Sequence, residues 1–245
     1  MKNFFLSKVR LTYYYPTFFI LFFIVLLLVQ KVELNGSQLA LFSVNSFLLA
    51  FYLGPILNGQ KTRIDELGKI IRNEAIAFFN LAVQTQVLKP GTKKQVKQMA
   101  HSYLKASIRN RKPAEGEKEY EELLRYCIDY EGKDKDAVKK IQEILIKNQE
   151  NRSAFSMQLK SAVFSHEWFV LLVLFTITLS YIVIIDYGDA LLLNIVAALL
   201  CTGLSLLLLI LAKLTTLTHK KAKTVWQPLD RLLETDFKHI EPTNQ

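Results

Sequence analysis

The chain has 245 residues, 51% of them hydrophobic, a formal charge of +9 and a mean hydropathy of +0.18. Its charges are crowded into blocks between long charge-free runs, which excludes a single soluble domain with polar and apolar residues interleaved at helix or strand spacing. Its two cysteines, Cys127 and Cys201, exclude a disulfide framework.

A helix needs roughly 20 mostly apolar residues to cross a hydrocarbon core of about 30 Å. The first run of that length is Leu11 to Gln30, behind a basic tail holding Lys2, Lys8 and Arg10. It is too long for a signal h-region and lacks a small-x-small cleavage site, so it reads as a span, with Tyr13, Tyr14 and Tyr15 as an interfacial aromatic belt. The second run, Gln38 to Leu57, does not stop at the membrane. Beyond Asn58 and Gly59 the residues Ile64, Leu67, Ile71, Ala75, Phe78, Ala82 and Gln86 recur at spacings of three and four. That period predicts a long helix, bent near Pro55, that projects from the bilayer and ends before Lys89–Thr92, where Pro and Gly interrupt it.

Three more helices are expected before the membrane is met again. They cover Thr92 to about Arg111, a shorter stretch EYEELLRYCIDYE after a loop around Pro113 and Gly116, and Asp134 to Val163. The last carries Val138, Ile141, Ile144, Leu145, Asn148 and Phe155 along one side. The third and fourth spans follow at Trp168–Ile185 and Ala190–Ala212. The expected fold is all-α, with four transmembrane helices and a cytoplasmic helical stalk domain between the second and third spans. Its parts are 1–58 (N-terminal tail and first two spans), 59–165 (the cytoplasmic domain), 166–212 (last two spans) and 213–245 (cytoplasmic tail).

Orientation follows from Lys and Arg, which are retained on the cytoplasmic side. The N-terminal tail carries 3, Gly59–Ser165 carries 21 and the stretch from Lys213 carries 6, whereas the opposite side has Lys31 alone. Near the spans Lys61, Arg63, Lys160, Lys213, Lys220, Lys221 and Lys223 agree, and the other face offers KVELNGS and the turn Asp186–Asp189. Both termini are therefore placed in the cytoplasm.

The sequence holds no HExxH, Walker A, GxGxxG or GxSxG motif. His101, His166, His219 and His239 have no partner at metal-ligand spacing, so neither catalysis, a cofactor nor a metal is expected. His166 beside Glu167 reads as an interfacial polar pair. The basic residues of Gly59–Ser165 are mixed with 14 acidic ones, which fits a solvated face near anionic lipid and not nucleic-acid binding.

The second span is the least lipid-like, with Ser43, Asn45, Ser46, Tyr52, Gly54 and Pro55. Polar and small residues in a span face other helices or water, so it is the pore-lining or core helix. Ser43, Phe47 and Phe51 are four apart and share a face. Repeated around an axis, the two phenylalanines would make an apolar constriction of the kind that gates by dewetting. The adjoining face, Ser46, Ala50 and Gly54, is small enough for close packing between subunits, and Asn45 or Tyr52 is expected to hydrogen-bond between helices.

The stretch SFLLAFYLG, Ser46 to Gly54, resembles the neck of the bestrophins, pentameric anion channels whose second helix carries an S-F-x-L-G-F-Y type run. Phe47 and Phe51 match two of the three hydrophobic neck positions, and Ser43 stands where the third would be; Ala50 replaces the usual Gly and Val44 the usual Pro. The chain is also similar to bestrophin-like, mostly bacterial four-span proteins in the segment NRSAFSMQLKSAVFSHEW. The resemblance implies a homo-oligomer, a pentamer, in a cell inner membrane, passing inorganic anions such as chloride through a pore lined by the second helix. A calcium site is not carried across, because Asp230, Glu234, Asp236 and Glu241 are scattered where calcium-responsive members have an acidic run. The competing reading is a non-conducting scaffold or sensor acting through its cytoplasmic helices.

Overall fold

The computed structural model describes residues 11–110, 116–160, 163–188, 191–219 and 224–237. Outside them lie the basic tail with Lys2, Lys8 and Arg10, the loop from Arg111 through Pro113, Asp189, Lys220, Lys221, Lys223, His239 and Glu241. Among the described residues the chain is helical, with no strand beyond a single isolated bridge. In order the helices are α1 (Leu11–Leu28), α2 (Gly36–Gln84), a 3-10 turn (Thr85–Val87), α3 (Pro90–Asn110), α4 (Glu117–Ile128), α5 (Lys135–Lys160), α6 (Ser165–Ile184), α7 (Leu191–Thr215) and α8 (Gln227–Thr235). Four of them, α1, α2, α6 and α7, are long and apolar enough to cross a membrane. Contacts divide the chain into two units, Met1–Thr62 with Ala162–His219, and Arg63–Ser161 with Lys220–Gln245.

In the first unit α1 packs along α7. Leu26 is buried against the small residues Ala197, Ala198 and Cys201 of α7 and Ile182 of α6, with Phe19, Phe22 and Phe23 closing around them. Small side chains let the helix backbones approach, and between apolar helices that close packing is the main attraction available. A second cluster joins Leu49 and Leu53 of α2 to Leu171 of α6 and Leu211 of α7.

The ends of these helices are tied by specific bonds. Asn35 and Gln38 cap α2 reciprocally: the Gln38 amide donates to Asn35 Oδ1 and the Asn35 amide to Gln38 Oε1, each at 2.9 Å. Val32 pairs with the end of α6, accepting from the Asp186 amide at 3.1 Å and donating to the Ile184 carbonyl at 2.8 Å, and Lys31 Nζ donates to the Val183 carbonyl. These bonds occupy carbonyls that a helix C-terminus leaves open. Gly188 takes φ +64°, a left-handed turn position, while its amide donates to Asp186 Oδ1. At the start of α6 the Glu167 carboxylate accepts from the Phe164 amide at 2.8 Å, and the His166 ring stacks on Phe164, so this pair serves the helix end.

In the second unit the predicted stripe of α2 forms the core: Ile64, Leu67, Ile71, Ala75, Phe78 and Ala82 are buried. Gln86 is exposed and Thr85 is buried in its place, because the tighter 3-10 turn shifts the phase of the stripe. Pro90 opens α3, where its missing N–H costs nothing. Across from the stripe lie Val96, Ala100 and Leu104 of α3, Leu123 and Cys127 of α4, and Val138, Ile141, Leu145 and Phe155 of α5. Burial of each such large apolar chain contributes about 1.5–3 kcal/mol. The segment read as a C-terminal tail joins this core: Trp226, Leu229, Leu232 and Phe237 are buried, and Trp226 meets Phe155 edge-on at 5.6 Å.

Candidate functional site

Two places in the chain carry side-chain arrangements that apolar packing alone does not require, and each is built within one unit. The first is α2 in the first unit. Its inner side seats Leu49 and Leu53 in the core and presents Asn45 to α6, where Asn45 Nδ2 donates to the Leu174 carbonyl at 3.1 Å and to Thr178 Oγ1 at 2.8 Å. Thr178 in turn donates to the Leu174 carbonyl, so a compact polar network ties the N-terminal part of α2 to the middle of α6. Tyr52 packs half-buried beside the leucine cluster.

The other side of α2 is uncovered by its own protomer. Phe47 is 66% exposed and Phe51 68%, their rings stacked at 6.0 Å and 20°. Ser43, Ala50 and Gly54 are exposed beside them, and the position of a side chain on Gly54 meets no atom within 4 Å. Ser46 is half-buried, and its Oγ finds no hydrogen-bond partner among the described residues. Ser43, Phe47 and Phe51 thus share the open face, whereas Asn45 and Tyr52 are engaged inside the protomer.

The second place is a polar cluster inside the second unit. Glu74 is 1% exposed on α2 and accepts a short hydrogen bond from the Tyr103 hydroxyl of α3. Arg152 of α5 is 6% exposed; its guanidinium lies 3.9 Å over the Tyr120 ring and 5.3 Å from the Tyr103 ring centre. Its Nη2 is 3.1 Å from the Glu117 carboxylate, which reaches toward solvent. Phe78, Tyr103 and Tyr120 stack about this centre, with Phe78 and Tyr103 at 4.9 Å. Asn148 lies beside Glu74 and Tyr120, but its Nδ2 is aligned for a hydrogen bond to neither, and Arg152 Nε is likewise without an aligned acceptor among the described residues.

Burial pushes the Glu74 carboxyl above its usual range, against the opposing pull of the Tyr103 hydroxyl, the Arg152 charge and Asn148. The same burial raises the Tyr103 phenol and takes Tyr120 to about 12. Such a site suits a fixed structural junction: a carboxyl, a guanidinium and two phenols hold four helices, α2, α3, α4 and α5, in one register. Glu74 belongs to the sequence pattern that the hydrophobic stripe conceals. It lies three residues after Ile71 and four before Phe78, so it shares their buried face, and a charge at such a position is the sign of a buried polar partner.

Among the described residues no group of three or more His, Cys, Asp or Glu is placed to hold a metal ion. Comparison of the chain with family models, curated proteins and solved structures gives no match.

Proposed function

We propose that the chain is a subunit of a bestrophin-like ion channel: an integral membrane protein of the cell inner membrane, with cytoplasmic termini, that assembles as a symmetric homo-oligomer, a pentamer by that resemblance. The second helix surrounds the central axis and passes inorganic anions. The observation that carries this reading is the open face of α2, where Phe47 and Phe51 stand stacked and two-thirds exposed while Asn45, Leu49 and Leu53 on the opposite side are engaged with α6 and α7. Rings of phenylalanine around an axis form a constriction too apolar to stay hydrated, which closes a pore without a charged gate. Ser43, one turn away on the same face, supplies a hydroxyl at the mouth of the constriction. The excess of Lys and Arg in Gly59–Ser165 raises the local concentration of anions at that side of the pore.

Anion flux from proteoliposomes, with a cation-flux control, tests the proposal. Phe47→Ala with Phe51→Ala is expected to raise flux at least severalfold over the wild type, because it widens and wets the constriction. No flux from either form, in protein shown to be folded and oligomeric, would overturn conduction and leave a scaffold or sensor.

A further inference from the structure

The tripeptide Leu-Asn-Gly occurs twice, once across the start of α2 (34–36) and once inside that helix (57–59). Asn35 and Asn58 are both exposed, as are Gly36 and Gly59, and a Cβ built on either glycine would meet no atom within 4 Å. The two copies therefore match in sequence and in openness, and they differ in the backbone. Asn58 and Gly59 lie in the body of α2, where the helical ladder commits the Gly59 amide to a carbonyl one turn back and fixes the dihedrals on either side. Asn35 precedes α2 and Gly36 is its first residue, so the Gly36 amide has no acceptor within the helix. Asn35 is held by its reciprocal bonds with Gln38, at a helix end, where local opening is easiest.

We propose that Asn35 is a site of spontaneous deamidation through a cyclic imide with Gly36, and that Asn58, in the same tripeptide, is protected by its helix. The Gly36 amide gives up its proton and its nitrogen attacks Asn35 Cγ; the Cγ–Nδ2 bond breaks and Nδ2 takes up a proton and leaves as ammonia. Water then opens the imide at one of its two carbonyls, giving aspartate or an isoaspartate whose backbone runs through the β-carbon. Glycine favours the attack because no Cβ hinders the approach of its nitrogen. The step needs an uncommitted amide and rotation of the Asn35 backbone, which a helix start permits and a helix interior does not. The two products act oppositely on α2. Aspartate keeps an oxygen for the Gln38 amide and places an anion at the helix N-terminus, both of which stabilise it. Isoaspartate lengthens the backbone by a methylene and carries that oxygen out of register with Gln38.

The test ages the full chain, folded in detergent, in heavy-oxygen water at mildly alkaline pH, where an amide nitrogen loses its proton more readily. Peptides holding Asn35 and Asn58 are followed by mass spectrometry, with electron-transfer fragmentation separating aspartate from isoaspartate. Asn35 is expected to convert several times faster than Asn58, with isoaspartate among its products, and the two rates are expected to converge in denaturant. Gly36→Ala, for which the structure has room, is expected to slow Asn35 severalfold and leave Asn58 unchanged. Equal rates in the folded chain would overturn the proposal, the Gln38 cap then guarding Asn35 as firmly as the helix guards Asn58. A difference that persists in denaturant would overturn it by assigning the effect to more distant sequence. Heavy oxygen entering at Asn35 with no isoaspartate and no response to Gly36→Ala would replace the imide by direct hydrolysis.

Discussion

Glu74 is held in the core of the second unit by contributions that oppose one another. Removal from water favours its neutral form, and the Tyr103 hydroxyl and Arg152 favour the carboxylate; burial is the larger, so its pKa lies above the ordinary carboxylate value. A group whose pKa is raised on folding binds its proton more tightly in the folded than in the unfolded chain. Its contribution to stability is therefore fully present below the unfolded value and is lost as pH rises through the folded one. Glu74→Gln keeps the shape of the side chain and removes the charge. Thermal unfolding followed from the ordinary carboxylate range up to neutral pH is expected to show a decline for the wild type that Glu74→Gln flattens. Identical pH profiles would place the carboxylate in an environment much wetter than its 1% exposure. Arg152 is the more demanding partner. Removing it takes away a charge that favours the Glu74 carboxylate and so is expected to raise the Glu74 pKa further.

Helices differ in how much of their role can be read from spacing. The stripes of α2 and α5 were legible because a period near 3.6 identifies a buried face whatever covers it, and the four apolar runs because membrane thickness fixes their length. The helix α8 was hidden: nine residues are too few to establish a period, although Trp226, Leu229 and Leu232 recur at threes and Pro228 stands in its first turn. The roles of Asn45 and Phe47, two residues apart on α2, also exceed what spacing can assign. Both fall in an apolar span, and only the position of α6 decides that Asn45 is engaged inside the protomer and Phe47 is not. That engagement has a measurable consequence. An asparagine bridging two spans contributes about 0.6 kcal/mol on average and up to about 2, so Asn45→Leu is expected to lower the detergent unfolding midpoint modestly. It leaves Thr178 its own bond to Leu174, which limits the loss. A drop as large as that of a core cavity would mean that Asn45 organises more of the bundle than α6 alone.

At the scale of the whole molecule, the side of the membrane on which each end of the bundle lies is set by charge and not by packing. The Tyr14 ring of α1 lies 5.3 Å from Lys213 Nζ at the end of α7, while Lys31 is bonded to the end of α6 at the far ends of the same helices. The first end adjoins the cation-rich segments of the sequence and the second has Lys31 alone, so the proposed topology, with the first end in the cytoplasm, is the one the positive-inside rule predicts. Cys127 and Cys201 are both buried, and burial takes the Cys127 thiol to about 12, so neither is expected to react with a maleimide in the folded protein. Single cysteines on exposed positions then report sidedness cleanly. Glu33→Cys, in the short connection before α2, is expected to be labelled by a membrane-impermeant maleimide in intact cells, and Glu122→Cys on α4 only after the cells are opened. The reverse pattern would invert the topology and put the basic domain outside. It would also remove the argument that its lysines and arginines gather anions from the cytoplasm at the entrance to a pore.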